Sequence, residues 1–167
     1  MIDPSSIRLI DIEASGLGPD SYPIEIAYSP EDGTYRSTLI NPDTGDGWDE
    51  WDPLAEALHG ISRAHAVEQG QDVMAVANQL NEALGTGVWY TDAYDQDFAW
   101  MTRLYEAVLL EPSFRLASLQ GLLEQQGKGL AAKYDELAAM DEPAHRAEAD
   151  LQRIRELLRQ VVAVNDR

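Results

Sequence analysis

The chain is 167 residues long and 44% hydrophobic, which suits one folded domain with its own core rather than a disordered segment. It has no cysteine, so disulfides, thiolate metal centres and a cysteine nucleophile are excluded. Twelve basic residues against thirty acidic ones give a net charge of −18, which argues against tight nonspecific binding to long nucleic acid but leaves a nucleic-acid enzyme open.

No basic region followed by an apolar run occurs over Met1 to Ser6, and no apolar stretch reaches the ~18 residues of a membrane span, so a cytoplasmic protein without membrane contact is expected. Ile7 to Ala14 reads as a first strand, Pro23 to Tyr28 as a second and Thr34 to Ile40 as a third, an antiparallel meander with a turn at Gly33. Asn41 to Asp52 reads as an acidic loop anchored by Trp48 and Trp51. Helices are expected over Pro53 to Leu58 and Val73 to Leu84, the latter with apolar residues at 73, 76, 77, 80 and 84. A short buried strand follows at Val88 to Thr91. A helix over Asp95 to Leu110 carries Phe98, Met101, Leu104, Tyr105 and Val108 on one side. Phe114 to Leu116 reads as a last strand, with helices over Ser118 to Gln126 and Leu130 to Met140. Pro143 opens the final helix with Asp141 or Glu142 as its cap. Leu151, Ile154, Leu158, Val161 and Val162 form the stripe of that helix, and Arg153, Arg155 and Arg159 lie largely off it. Three strands, then alternating helices and strands, imply a single α/β domain with a mixed sheet spanning 1–167.

Asp11 and Glu13 carry the first chemical signal. Two residues apart on a strand, they point to one face, and two buried carboxylates so close together repel unless a cation sits between them. Hard oxygen ligands suit Mg²⁺ or Mn²⁺. Alone, the pair also fits a strand edge with solvated acids. Asp95 opens a helix at the C-terminal edge of the sheet, where α/β folds place ligands. A helix cap also explains it, and from that segment alone explains it better. Asp92 and Asp97 are rivals for the same role. His145 lies five residues before Asp150, about 140° around an ideal helix, so both reach one site only if His145 sits at the start of the helix and Asp150 deeper in. A surface histidine beside a solvated aspartate is the plain alternative.

In combination these segments resemble the DEDDh exonucleases, the DnaQ-like branch of the ribonuclease H-like superfamily. Asp11-Ile12-Glu13-Ala14-Ser15-Gly16-Leu17 is similar to the first family motif, and Pro23-Ile24-Glu25-Ile26-Ala27 to the second strand. Leu58-His59-Gly60-Ile61-Ser62 resembles the helix-to-loop segment after the third strand. Tyr94-Asp95-Gln96-Asp97-Phe98 resembles the second motif, although Thr91-Asp92 stands where Asn-Ala is usual. His145 to Asp150 fits the third motif, and Arg146 stands where the sister branch has tyrosine.

The resemblance implies a ribonuclease H-like five-stranded mixed sheet, antiparallel over its first three strands and then parallel, flanked by helices. It implies a 3′–5′ exonuclease that uses two Mg²⁺ or Mn²⁺ ions to release nucleoside 5′-monophosphates from a 3′ end. Asp11 would bridge the ions, Glu13 and Asp150 would complete the first site, and Asp95 would hold the second ion. His145 would be the general base. Backbone groups near Ser15 and Gly16 would hold the terminal sugar, Leu17 would wedge against its base, and His59 and Tyr94 would line the nucleotide pocket. His65 has no assignment and is expected at the surface. The acidic composition favours a short single strand, DNA or RNA, or a 3′ end delivered by a protein partner. Two other classes stay open: a non-catalytic acidic interaction module on the same fold, and a protein that binds Ca²⁺ for stability.

Overall fold

A computed structural model describes residues 3–165; Met1 and Ile2, part of the N-terminal segment read above, lie outside the described residues. Five strands form the sheet: β1 (Leu9–Ala14), β2 (Pro23–Ser29), β3 (Arg36–Leu39), β4 (Val88–Thr91) and β5 (Arg115–Ser118). Their order is β3-β2-β1-β4-β5. β1 pairs antiparallel with β2, and β2 antiparallel with β3; β4 pairs parallel with β1 and with β5. The expected mixed sheet is therefore observed.

Seven α-helices, with short 3-10 turns at Pro4–Ser6 and Pro42–Thr44, complete the described chain: α1 (Pro53–His59), α2 (Arg63–Gln69), α3 (Val73–Leu84), α4 (Tyr94–Val108), α5 (Leu119–Gln126), α6 (Leu130–Ala138) and α7 (Ala147–Asn165). None is long and apolar enough to cross a membrane. α2 was not expected from the sequence; Ser62 caps it by accepting from the backbone N–H of His65 at 3.1 Å. His65 is exposed, as anticipated.

The alternation of β1 sorts its residues between two layers. Ile10 and Ile12 join Ile24, Ile26 and Tyr28 against Val76, Leu80, Met101 and Leu104 of α3 and α4. Leu9 faces the other way, with Ala27, against Leu119, Leu123, Tyr134, Leu151, Ile154 and Leu158 of α5, α6 and α7. By the two-residue period, Asp11 and Glu13 share the face of Leu9 and look toward α7. Of the expected loop anchors, Trp48 is buried and stacks on Tyr22 at 4.7 Å and 10°. Trp51 is half-buried against the same core.

Four local expectations need correction. α7 starts at Ala147 rather than Pro143, because His145 takes a left-handed backbone (φ +53°) and breaks the helical path. Glu25 of β2, not Asp141 or Glu142, receives the first helical N–H: Ala147 N donates to Glu25 Oε2 at 3.0 Å. Arg155 is buried rather than off the stripe, since it lies one turn beyond Leu151. It donates to the carbonyls of Pro4 and Ile7 (2.7 Å to the latter) and to Ser29 Oγ (2.9 Å). Phe98 is half exposed rather than part of the buried side of α4.

Candidate active site

Three acids from distant parts of the chain meet at the C-terminal end of β1. Asp11, Glu13 and Asp150 each offer one oxygen, and these oxygens lie within 4.8 Å of one another. β1 supplies the first two from one face; the first turn of α7 supplies the third. Asp11 and Asp150 are buried. Asp150 is fixed by the backbone, with Ala144 N donating to Oδ1 at 2.7 Å.

The electrostatics of this cluster are unfavourable without a counter-charge. Burial raises the Asp11 carboxyl well above its ordinary range, and Asp97, Glu13, Asp92 and Asp150 push it further. Burial likewise raises Glu13 to about 8, helped by Asp150, Glu25 and Asp97 and opposed by Arg146. Four raised carboxyls around one cavity, Asp11, Glu13, Asp92 and Asp97, are the expected signature of a site whose cation is part of its design. All-oxygen donors fit a hard divalent ion such as Mg²⁺ or Mn²⁺.

The cluster floors a cavity of about 710 Å³. His145, Asp92, Asp97, Arg153, Gly16, Leu17 and His59 reach its walls, and Leu54, Leu58 and Trp100 add an apolar rim. Leu17, Leu54 and Leu58 are 77%, 75% and 57% exposed, an apolar lip around an acidic floor. His59 is buried, its Nδ1 accepts from Ile61 N at 3.0 Å, and burial lowers its pKa.

The first turn of α4 departs from expectation. Asp95 is exposed and points into a second groove, so it does not join Asp11. Asp97 does: it is 1% exposed, lines the cavity, and is the strongest charged influence on Asp11. Thr91 Oγ donates to one of its oxygens, and the other, Oδ1, is buried without a hydrogen-bond partner. Burial raises the Asp97 pKa, the Thr91 bond opposes this, and Asp92 adds to it. The helical phase explains the exchange. Two residues turn the helix by about 200°, so Asp95 and Asp97 face opposite ways. Asp97, Met101, Leu104 and Tyr105 form one buried stripe. The periodicity that located the apolar face also marked Asp97 as the inward acid, a signal the motif-based reading passed over.

Tyr94 does not reach the cavity; it packs beside Phe98 (centroids 5.6 Å apart, rings tilted by 32°) over a separate hollow between α4 and β5. Ser15 is also withdrawn. Its N–H donates to Tyr22 O (2.9 Å), its carbonyl accepts from Asp52 N (2.8 Å), and its hydroxyl donates to Glu50 and accepts from Tyr22 N (3.1 Å). All of its polar groups serve the loop. Gly16 remains at the cavity, where a side chain would collide with Glu50 Oε1. Asp92, an extra acid at the cavity, accepts from Tyr134 Oη at 2.9 Å; burial raises its pKa and that bond opposes the rise.

A second groove continues from Leu17, Gln96 and Trp100, residues it shares with the cavity, past Phe98 to Arg103. Among the described residues Arg103 has no carboxylate within ion-pair distance.

Among solved structures, this architecture is similar to exonuclease I of E. coli. Its zinc-bound complex with single-stranded DNA matches with a TM-score of 0.72 and 15% identity, over 96% of this chain and 41% of that one. Its complex with a dA16 oligonucleotide gives 0.68 and 14%, over 90% and 39%. A further exonuclease I structure gives 0.67 and 16%, over 90% and 39%. The chain shares the fold of the matched region of these exonuclease I structures. It spans about two fifths of the length of the exonuclease I chains it matches. No protein-family model matches the sequence, and no curated protein matches it. Within this fold, the carboxylate cluster lies at the C-terminal ends of β1 and β4, the edge where open α/β sheets bind ligands.

Proposed function

We propose that the chain is the catalytic module of a metal-dependent 3′–5′ exonuclease that acts on short or single-stranded DNA or RNA and releases nucleoside 5′-monophosphates. The observation that carries this reading is the convergence of Asp11, Glu13 and Asp150 within 4.8 Å, with His145 on the wall of the same cavity. Asp11, Glu13 and Asp150 would hold one Mg²⁺ or Mn²⁺ ion. Asp97, whose buried Oδ1 lacks a partner, would join Asp11 at a second, in the role the motif resemblance gave to Asp95. Bound there, the ions supply charge stabilisation for the phosphate oxygens of an in-line displacement.

The rest of the chemistry belongs to side chains. His145 takes the proton from the attacking water, a role suited to an imidazole near neutral pH. The lip of Leu17, Leu54 and Leu58 receives the terminal base, with His59 below it. The adjoining groove offers an exposed ring, Phe98, for stacking and one free guanidinium, Arg103, for a phosphate, which suits a flexible single strand better than a duplex. With so few free cations, a protein partner that delivers the 3′ end belongs to the proposal.

The test is a 5′-labelled oligonucleotide, DNA and RNA in parallel, with Mn²⁺ or Mg²⁺. A ladder shortening from the 3′ end, lost with chelator and lost in Asp11→Ala, is the expected result. No degradation of either polymer by the wild-type protein refutes the reading.

A further inference from the structure

Glu25 is a buried carboxylate on β2, 3% exposed and directly opposite Glu13 of β1. A buried carboxylate needs donors, and the source of these donors is informative. Arg146 gives it two, from Nε at 3.1 Å and Nη2 at 2.7 Å, in a bidentate fork. Ala147 N gives a third at 3.0 Å. All three come from the two residues that immediately follow His145. On the other side of His145, Ala144 N is tied to Asp150 Oδ1 at 2.7 Å. His145 therefore sits between two anchored neighbours, each held by a carboxylate of the site or of the strand behind it. Its backbone has φ +53°, a conformation that L residues with side chains adopt rarely and keep only where the surroundings impose it. Without the pull on Arg146, nothing in the sequence stops α7 from beginning at Pro143, a favoured first-turn residue, and a helical His145 would leave the cavity wall.

We propose that Glu25, acting through Arg146 and Ala147, is the positioning residue that holds His145 at the carboxylate cluster. The proposal rests on the general-base role given to His145 above. A purely structural role, in which the ion pair only neutralises a buried charge, would lower stability and leave turnover per folded molecule unchanged.

The test compares Glu25→Gln, Arg146→Met, His145→Ala and the Glu25→Gln/His145→Ala double variant in the full chain. Turnover of a short oligonucleotide and amide hydrogen exchange of residues 141–147 are both measured. The expected result for Glu25→Gln is a kcat lowered by about 10²-fold, the cost of a misplaced catalytic group, with KM within about twofold. The double variant should fall no further than His145→Ala, because both losses pass through one side chain. Exchange at 141–147 should rise in Glu25→Gln and in Arg146→Met, which leaves Ala147 its carboxylate partner. Multiplying losses in the double variant, or an unchanged kcat in Glu25→Gln, overturns the proposal. The two failures are separable. A wild-type protein without nuclease activity refutes the proposed function, and exchange then decides the tether alone: unchanged protection of 141–147 in both variants overturns it. If Glu25→Gln does not fold, Arg146→Met carries both measurements.

Discussion

The carboxylate cluster should make the metal-free protein less stable as pH rises, and Glu13 sets the size of the effect. Its carboxyl is raised from 4.5 to about 8 in the folded chain. At ~1.4 kcal/mol per pH unit, that difference is worth about 5 kcal/mol between pH 4.5 and 8. The sign follows from proton counting. Between these values the folded state keeps a proton that the unfolded state has released, so stability is full below 4.5 and is lost as pH climbs to 8. Asp11 and Asp97, both raised chiefly by burial, act in the same direction. For a domain of this size, ~2–4 °C per kcal/mol turns the Glu13 share into a fall in Tm of about 10–20 °C. Calorimetry or urea unfolding from pH 5 to 8.5, with chelator and with Mn²⁺, measures it. In chelator the wild-type protein should lose stability across the range and Mn²⁺ should restore it. Glu13→Gln should flatten the loss by several kcal/mol, and the difference between the two proteins isolates the site from the general repulsion of a −18 chain. Parallel curves for wild type and Glu13→Gln in chelator would refute the reasoning.

Asp97→Asn should abolish metal-dependent hydrolysis while Asp95→Asn keeps activity within a few-fold, read from initial rates on one oligonucleotide; the reverse pattern would restore Asp95 to the site. Arg103→Ala should raise KM with kcat little changed and reduce the slope of log KM against log salt by about 0.7, the value of one phosphate contact on a single strand. Arg155→Met should cost about 3 kcal/mol or more in urea unfolding, since the carbonyls of Pro4 and Ile7 and the Ser29 hydroxyl lose their donors in a buried setting.

The sheet was legible because its strands carry their own signals. Pro23 to Ser29 is buried at every position, and the Asp11/Glu13 alternation shows directly as one face of β1. Val73–Leu84 was predicted to the residue because its apolar spacing and the following Gly85 agree. The missed features are tertiary. α2 lacks a strong apolar period, and Ser62 was the one local sign of it. The late start of α7 depends on Glu25, 122 residues earlier in the chain, which no local pattern reveals. The choice between Asp95 and Asp97 was present in the helical phase of Met101, Leu104 and Tyr105, yet motif spacing and phase pointed to different residues. Phase prevailed because burying Met101 and Leu104 fixes the rotation of α4, and a carboxylate cannot reorient the helix against that packing.

The same arrangement explains how a fold tolerates so costly a site. Asp11, Glu13 and Asp97 oppose folding at neutral pH when no cation offsets them, yet they and their neighbour Asp150 each stand on an element anchored elsewhere. β1 is central in the sheet, paired on both edges. α4 is held by Met101, Leu104 and Tyr105. α7 carries Asp150 and, just ahead of it, His145, but its rotation is set by Leu151, Ile154, Leu157 and Leu158 and by the Arg155 guanidinium bonded to the segment before β1. Rigid elements converge at one point, so the acids cannot relax apart by moving a loop. Their repulsion is relieved only by protonation or by a cation, which places metal binding and proton binding in direct competition at one cluster.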